Sequence, residues 1–187
     1  MMADTASMQD TSFYRSDHQE MKKKAFTIVE VILVVTILGI LAAIAFPGLQ
    51  DHVAKAKESA VRNNLTTIRS QIEIYKLQHE GVPPGYKDGA EASIQTLILQ
   101  LTATSTVTGA VSEFKVPVDP YVFGPYLKKI LENTFNGLST IAYLNVGTEF
   151  SAAADGTSSG WLYKRETSEF RLNWTGKDTN GSPFYDL

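Results

Sequence analysis

The chain has 187 residues, a formal net charge of −3 and no cysteine. This length allows one domain of about a hundred residues beside a long helix, enough for a hydrophobic core without disulfide bonds. The acidic balance, with no run of Lys or Arg beyond the N-terminal region, argues against a nucleic-acid-binding surface.

The first 25 residues are predicted to be a leader. Residues 1–20 are polar and of mixed charge, whereas Lys22, Lys23 and Lys24 form a basic cluster directly before an apolar run. Met21 immediately precedes this cluster. We therefore expect translation to start at Met21, or residues 1–20 to form a disordered tail.

An apolar run from Phe26 to Phe46 follows the leader. As a helix it would reach about 30 Å, the thickness of the hydrocarbon core of a bilayer. Apolar residues lie on every side of the helical wheel, which is typical of a helix surrounded by lipid. Because the preceding lysines favour a cytoplasmic N-terminus, we expect a single membrane span with the remaining chain outside the cytoplasm.

The apolar run contains one acid, Glu30. An ionised carboxylate inside hydrocarbon costs about 2.5 to 3.5 kcal/mol on insertion scales. Two interpretations remain: Glu30 reaches the lipid headgroups near the end of the span, or a cation neutralises it.

The string AFTIVEVILVVTILGILAAIAFP resembles the class III signal of type IV pilins and of the pseudopilins of type II secretion systems. These proteins have a short basic leader, a peptidase cleavage site before a Phe, and Glu and Pro at the fifth and twenty-second mature positions. With Phe26 counted first, Glu30 and Pro47 take those positions. The resemblance implies cleavage between Ala25 and Phe26 and N-methylation of Phe26. The family usually has Gly where Ala25 stands, so we expect slower processing but not its loss.

The resemblance also implies a role in assembly. Cleavage would create an amine at Phe26 that can neutralise Glu30 of a neighbouring subunit in a setting of low dielectric constant. The implied partners are further copies in a homo-oligomeric filament, other pseudopilins, the prepilin peptidase, the inner-membrane secretion platform and, before assembly, lipid. Residues 26–48 would form a single span of the bacterial inner membrane and later the filament core, with a kink or weak point at Pro47. Residues 49–187 would form a periplasmic domain.

The helix is predicted to continue to about His79, because no Pro or Gly occurs between Gly48 and Gly81. Its outer half carries an apolar stripe at spacings of three and four, formed by Val61, Leu65, Ile68, Ile72 and Tyr75. A coiled coil is the alternative, but the spacing holds for only about two heptads, so we expect the stripe to pack on a globular domain. The segment EGVPPGY then ends the helix.

The remaining chain predicts a small α+β domain. AEASIQTLILQLT favours a second helix, TATSTVTGAV a polar connector, and STIAYLNV a strand, while the loop between the last two allows a short helix at Pro125 to Glu132. The clearest signal is a hairpin around the turn 165–168, with Trp161 and Tyr163 facing a set formed by Phe170, Leu172 and Trp174. A long N-terminal helix packed on a small antiparallel sheet is the pilin-like fold.

No catalytic centre is predicted, so we expect a protein that is not an enzyme. His18, His52 and His79 have no carboxylate or nucleophile at a recognisable catalytic spacing, and we expect all three to be solvated. No cofactor is expected.

No metal is predicted either, and calcium is retained only as an alternative near the C-terminal end. Asp178, Asn180 and Asp186 in KDTNGSPFYD offer oxygen ligands, but a polar turn after a hairpin has the same composition and calcium needs six to eight oxygens. The absence of cysteine favours a secretion pseudopilin over a type IV pilin for adhesion, motility or DNA uptake, because many of those pilins carry a C-terminal disulfide.

Overall fold

The computed structural model describes residues 27–187, except for the side chains of residues 47–49. The described residues divide into two units, residues 27–45 and residues 46–187. The first helix, α1 (Ile28–Gln78), contributes residues to both units. The predicted long helix is therefore confirmed over the described residues.

In the first unit, α1 exposes its apolar side chains on all sides. Every residue from 27 to 45 is exposed, and the exposed fractions of Ile28, Leu33 and Leu38 are 77%, 60% and 58%. Among the described residues, one segment is long and apolar enough to cross a membrane, Ile28–Phe46. This segment has the length and composition of a membrane anchor.

In the second unit, α1 buries the predicted apolar stripe. Val61, Leu65, Ile68, Ile72 and Tyr75 are each at most 3% exposed, which confirms packing on a globular core. The helix ends where Glu80 and Gly81 take positive φ values of 55° and 83°, and the Gly81 amide donates to the Lys76 carbonyl at 2.8 Å. This is the usual way for a chain to leave a helix through left-handed backbone.

A short hairpin and a second helix follow. Strands β1 (Tyr86–Lys87) and β2 (Ala90–Glu91) pair antiparallel around Asp88 and Gly89, which have positive φ values of 52° and 79°. Asp-Gly favours this tight turn, although the hairpin was not predicted. Helix α2 (Ile94–Thr102) confirms the predicted helix, and the Ser93 hydroxyl caps it by accepting from the Thr96 amide at 3.2 Å.

Three strands form the main sheet: β3 (Ile141–Tyr143), β4 (Trp161–Lys164) and β5 (Glu169–Leu172), in that spatial order. Strands β4 and β5 form the predicted antiparallel hairpin. Strand β3 pairs parallel to β4, which was not predicted. The crossover between them, residues 144–160, contains the short helix α3 (Phe150–Ala153) and is long enough for a parallel connection.

The hydrophobic core lies between α1, α2 and the sheet. It joins the α1 stripe to Leu97 and Leu101 of α2 and to the inward-facing sheet residues Trp161, Tyr163, Phe170 and Leu172. The predicted aromatic face of the hairpin is therefore core, with Trp174 half-buried against it. This arrangement is the pilin-like α+β fold.

The short helix allowed at Pro125 to Glu132 does not form, so that prediction was wrong. The amides of Tyr126 and Leu127 both donate to the Leu101 carbonyl, at 3.0 and 2.8 Å. These two bonds hold the segment against the end of α2, while Leu127 and Ile130 enter the core. Tertiary packing therefore overrides the local helix propensity of LKKILE.

Candidate functional site

The acid Glu30 lies in the first turn of α1, with its side chain exposed. The Glu30 amide donates to the Thr27 hydroxyl at 3.2 Å, so Thr27 caps the helix. The sequence analysis missed this cap, although Thr and Glu three residues apart are the signature of a capping box. A negative charge in a first helical turn is also favoured by the helix dipole.

Within residues 27–187 no basic side chain forms a salt bridge with Glu30. The first basic residue that follows it is Lys55, far along the helix. The first unit therefore presents an exposed apolar helix with one carboxylate near its beginning. Such a surface can pack against other apolar helices, and it gains further stability if one of them brings a cation to the carboxylate.

The other residues predicted to act in processing lie outside the described part of the chain. These are Lys22, Lys23, Lys24, Ala25 and Phe26. The side chain of Pro47 is also not described. Cleavage, N-methylation and the weak point at Pro47 therefore stay predictions.

The prediction of a solvated His79 was wrong, whereas His52 is exposed and His18 lies outside the described residues. His79 is 1% exposed, and its ring stacks on Tyr75 with centroids 3.6 Å apart. Its Nδ1 lies 2.7 Å from the Tyr75 carbonyl and its Nε2 lies 2.9 Å from Ser105 Oγ. Because a carbonyl can only accept, Nδ1 donates and Nε2 accepts from the hydroxyl. Burial lowers the pKa of His79, which is consistent with this neutral ring.

The acids of the calcium alternative face arginines. Asp178 Oδ2 lies 2.5 Å from Arg62 Nη2, and Asp178 Oδ1 accepts from the amides of Asn180 and Ser182. Burial alone would raise the pKa of Asp178, but these hydrogen bonds outweigh it and hold the pKa below its usual range. Asp186 lies 3.7 Å from Arg171. In the described part of the chain, no three His, Cys, Asp or Glu residues are grouped as a metal site would require.

The N-terminal part of the sequence is similar to known proteins. The family described as Prokaryotic N-terminal methylation motif matches residues 21–46, a range that includes the lysine cluster, Phe26 and Glu30. Over 62 residues the chain is 45% identical to fimbrial protein EcpB of Eikenella corrodens, covering 33% of this chain and 38% of that protein. The N-terminal part of this chain therefore carries the class III signal of pilins and pseudopilins.

Two secretion proteins are also similar to this chain. Over 77 residues it is 31% identical to type II secretion system core protein G of Pseudomonas aeruginosa, covering 41% of this chain and 54% of that protein. With core protein G of Aeromonas hydrophila it shares 24% identity over 155 residues, covering 78% of this chain and 97% of that protein. The chain thus spans about two fifths of EcpB and about half of the Pseudomonas protein. No solved structure matches this chain.

Proposed function

We propose that this protein is a structural filament subunit, the pseudopilin of a type II secretion system. Prepilin peptidase cuts it between Ala25 and Phe26, Phe26 is N-methylated, and the mature chain assembles into a periplasmic pseudopilus that drives export across the outer membrane. One observation carries the proposal: a single acid, Glu30, lies in the first turn of an apolar segment whose every described side chain is exposed.

The apolar segment needs a surrounding that is not water. Each fully exposed Val, Leu or Ile side chain gains about 1.5 to 3 kcal/mol when it leaves water, so the segment is stable only in lipid or against other apolar helices. Lipid meets this need before assembly, and neighbouring copies meet it in the filament. In this proposal residues 1–25 are the leader. Residues 26–48 span the membrane before assembly and form the filament core after it, and residues 49–187 are the periplasmic domain.

The carboxylate of Glu30 distinguishes a filament subunit from a plain membrane anchor. An anchor gains nothing from an acid in this position, because the charge must be moved to the headgroups or neutralised. In a filament, the methylated amine of Phe26 on a neighbouring subunit supplies the missing cation in a setting where attraction between charges is strong. The same pairing fixes the axial stagger between subunits.

The buried polar residues of the globular unit stabilise its fold. Within residues 27–187, every buried side-chain nitrogen or oxygen has a hydrogen-bond partner in the fold. The buried polar residues are therefore used for packing: Asn173, for example, accepts from the amides of Asp155 and Gly156. In the proposed system, movement is powered by a separate ATPase.

The substitution Glu30→Gln tests the role of the charge in assembly. We expect the variant to be cut and inserted normally, while the amount of filament released when the outer membrane is opened falls at least tenfold, since a neutral amide cannot neutralise the charge of the amine. Glu166→Gln is the matched control, because Glu166 is exposed in the turn between β4 and β5 and its loss should leave filaments unchanged. Normal filament yield from the Glu30→Gln variant would contradict the proposal.

The second candidate is a type IV pilin for adhesion, motility or DNA uptake, and the 45% identity with EcpB favours it. Deleting the gene distinguishes the two candidates. Loss of proteins from the culture medium, with surface fibres unchanged, identifies a pseudopilin. Loss of surface fibres with normal secretion identifies a pilin.

A further inference from the structure

The globular unit carries an apolar surface loop, residues 114–122, referred to below as the apolar loop. Phe114, Val116, Val118 and Val122 are 77%, 69%, 65% and 49% exposed. Phe114, Val116 and Val118, together with Tyr121, line an open groove of about 510 Å³. Large apolar side chains that cluster in water usually mark a contact surface, because a lone domain would bury them.

The apolar loop lies at the C-terminal end of α1. The hydroxyl of Tyr126, just after the loop, donates to Gln78 Oε1 at 2.6 Å. The ring of Phe123 lies 5.2 Å from that of His79. At the start of the loop, the Phe114 carbonyl accepts from the Thr104 amide, and the neighbouring Ser105 bonds His79.

A second apolar surface lies at the other end of the same unit. Phe46, Gln50, Val53, Ala54, Lys57 and Phe135 line a groove of about 380 Å³, referred to below as the proximal groove. Phe46 and Val53 are 62% and 48% exposed. The Thr134 hydroxyl, which donates to the Lys57 carbonyl at 2.8 Å, ties the loop that carries Phe135 to α1. From Lys57 to Gln78 the helix rises about 30 Å, so the contact of the proximal groove at Lys57 and the contact beside the apolar loop at Gln78 are about 30 Å apart along α1.

The charges of the two surfaces are complementary. The groove at the apolar loop includes Asp119, and the proximal groove includes Lys57, and both residues are exposed. The remaining charge of the loop, Lys115, points its ammonium group to the Lys128 carbonyl at 3.4 Å. Lipid is a poorer occupant for the loop than protein, because Gln78, which Tyr126 contacts just after the loop, lies about 48 Å along α1 from the end of the apolar segment at Phe46.

We propose that the apolar loop of one copy docks in the proximal groove of the next copy, with Asp119 beside Lys57. The contact joins two different surfaces, so it repeats without closing and builds an open filament. Subunits of the filament would then be held by two interfaces, one between the apolar helices and one between the globular domains. This inference rests on the proposed filament assembly.

Cysteine cross-linking in the full chain tests this contact, because the natural sequence has no cysteine. In cells of the native host, the double variant Val53→Cys/Val118→Cys is treated with a mild oxidant, the outer membrane is opened, and the released filaments are separated without reductant. We expect a ladder of covalent oligomers. A bridge within one chain would run as a monomer on the gel, so only bridges between chains can give the ladder.

Val53→Cys/Val146→Cys is the matched control, because Val146 is 78% exposed but lies outside the apolar loop. Filaments that form normally but give no ladder, or the same ladder as this control, would overturn the docking contact and leave the filament proposal intact. Absence of filaments from the unaltered chain would overturn both.

Charge exchange gives a second measurement on the same double-cysteine chain. We expect Asp119→Lys to slow cross-linking by about two- to fivefold, the effect of an exposed ion pair, and Lys57→Glu added to it to restore the rate. The rescue separates pairing from misfolding, because a variant that merely folds poorly is not repaired by a second change. Equal rates in all three chains would contradict the pairing of these two residues.

Discussion

The two isoleucines near the end of α1 give the sharpest test of the packing described here. Ile72 is 1% exposed and belongs to the core, whereas Ile74, two residues later, is 40% exposed. Ile72→Ala removes three buried carbon atoms and leaves a cavity, which costs about 3 kcal/mol. For a unit of this size that loss lowers Tm by about 10 °C. Ile74→Ala makes the same chemical change at a half-exposed site, where we expect about 0.5 kcal/mol.

Tryptophan fluorescence of the full chain in detergent measures the difference. Both tryptophans of the sequence, Trp161 and Trp174, pack in or against the core, so their emission follows unfolding of the globular unit. The matched pair cancels effects of helix propensity, because both substitutions replace Ile by Ala in the same helix. Equal losses of Tm in the two variants would refute the assignment of the Ile72 face to the core.

Two further predictions concern the polar contacts. Because burial holds the pKa of His79 below its ordinary value of 6.5, protonation favours the unfolded chain. The free energy of unfolding should therefore fall as the pH drops below about 6.5, and His79→Gln should flatten this dependence in denaturant titrations between pH 7 and pH 5. Since Asp178 faces Arg62, Tm should be the same in calcium and in chelator; a calcium-dependent rise of Tm that Asp178→Ala abolishes would show a metal site.

The helix and the hairpin that follow a regular local sequence pattern were predicted correctly. The α1 stripe repeats with the helical period, and the residues of β4 and β5 alternate around a polar turn, so both were predicted with the correct inward faces. Glu30 was found because a charge in an apolar run is conspicuous. The Thr27 cap was equally local and could have been found from its spacing to Glu30.

Features that depend on distant partners were missed. His79 was expected in solvent because its partner Ser105 lies 26 residues away, and no local pattern indicates that contact. The prediction of a short helix at Pro125 to Glu132 was wrong for the same reason, because this segment is held by hydrogen bonds to the distant Leu101 carbonyl. Parallel pairing of β3 with β4 is likewise non-local.

The central claim is that the apolar helix becomes a filament core once the leader has been removed. Mass spectrometry of the N-terminal peptide from purified filaments or membranes tests it most directly. The account predicts a mature chain that begins with N-methylated Phe26. A chain that still carries Lys22, Lys23 and Lys24 ahead of Phe26 would contradict it.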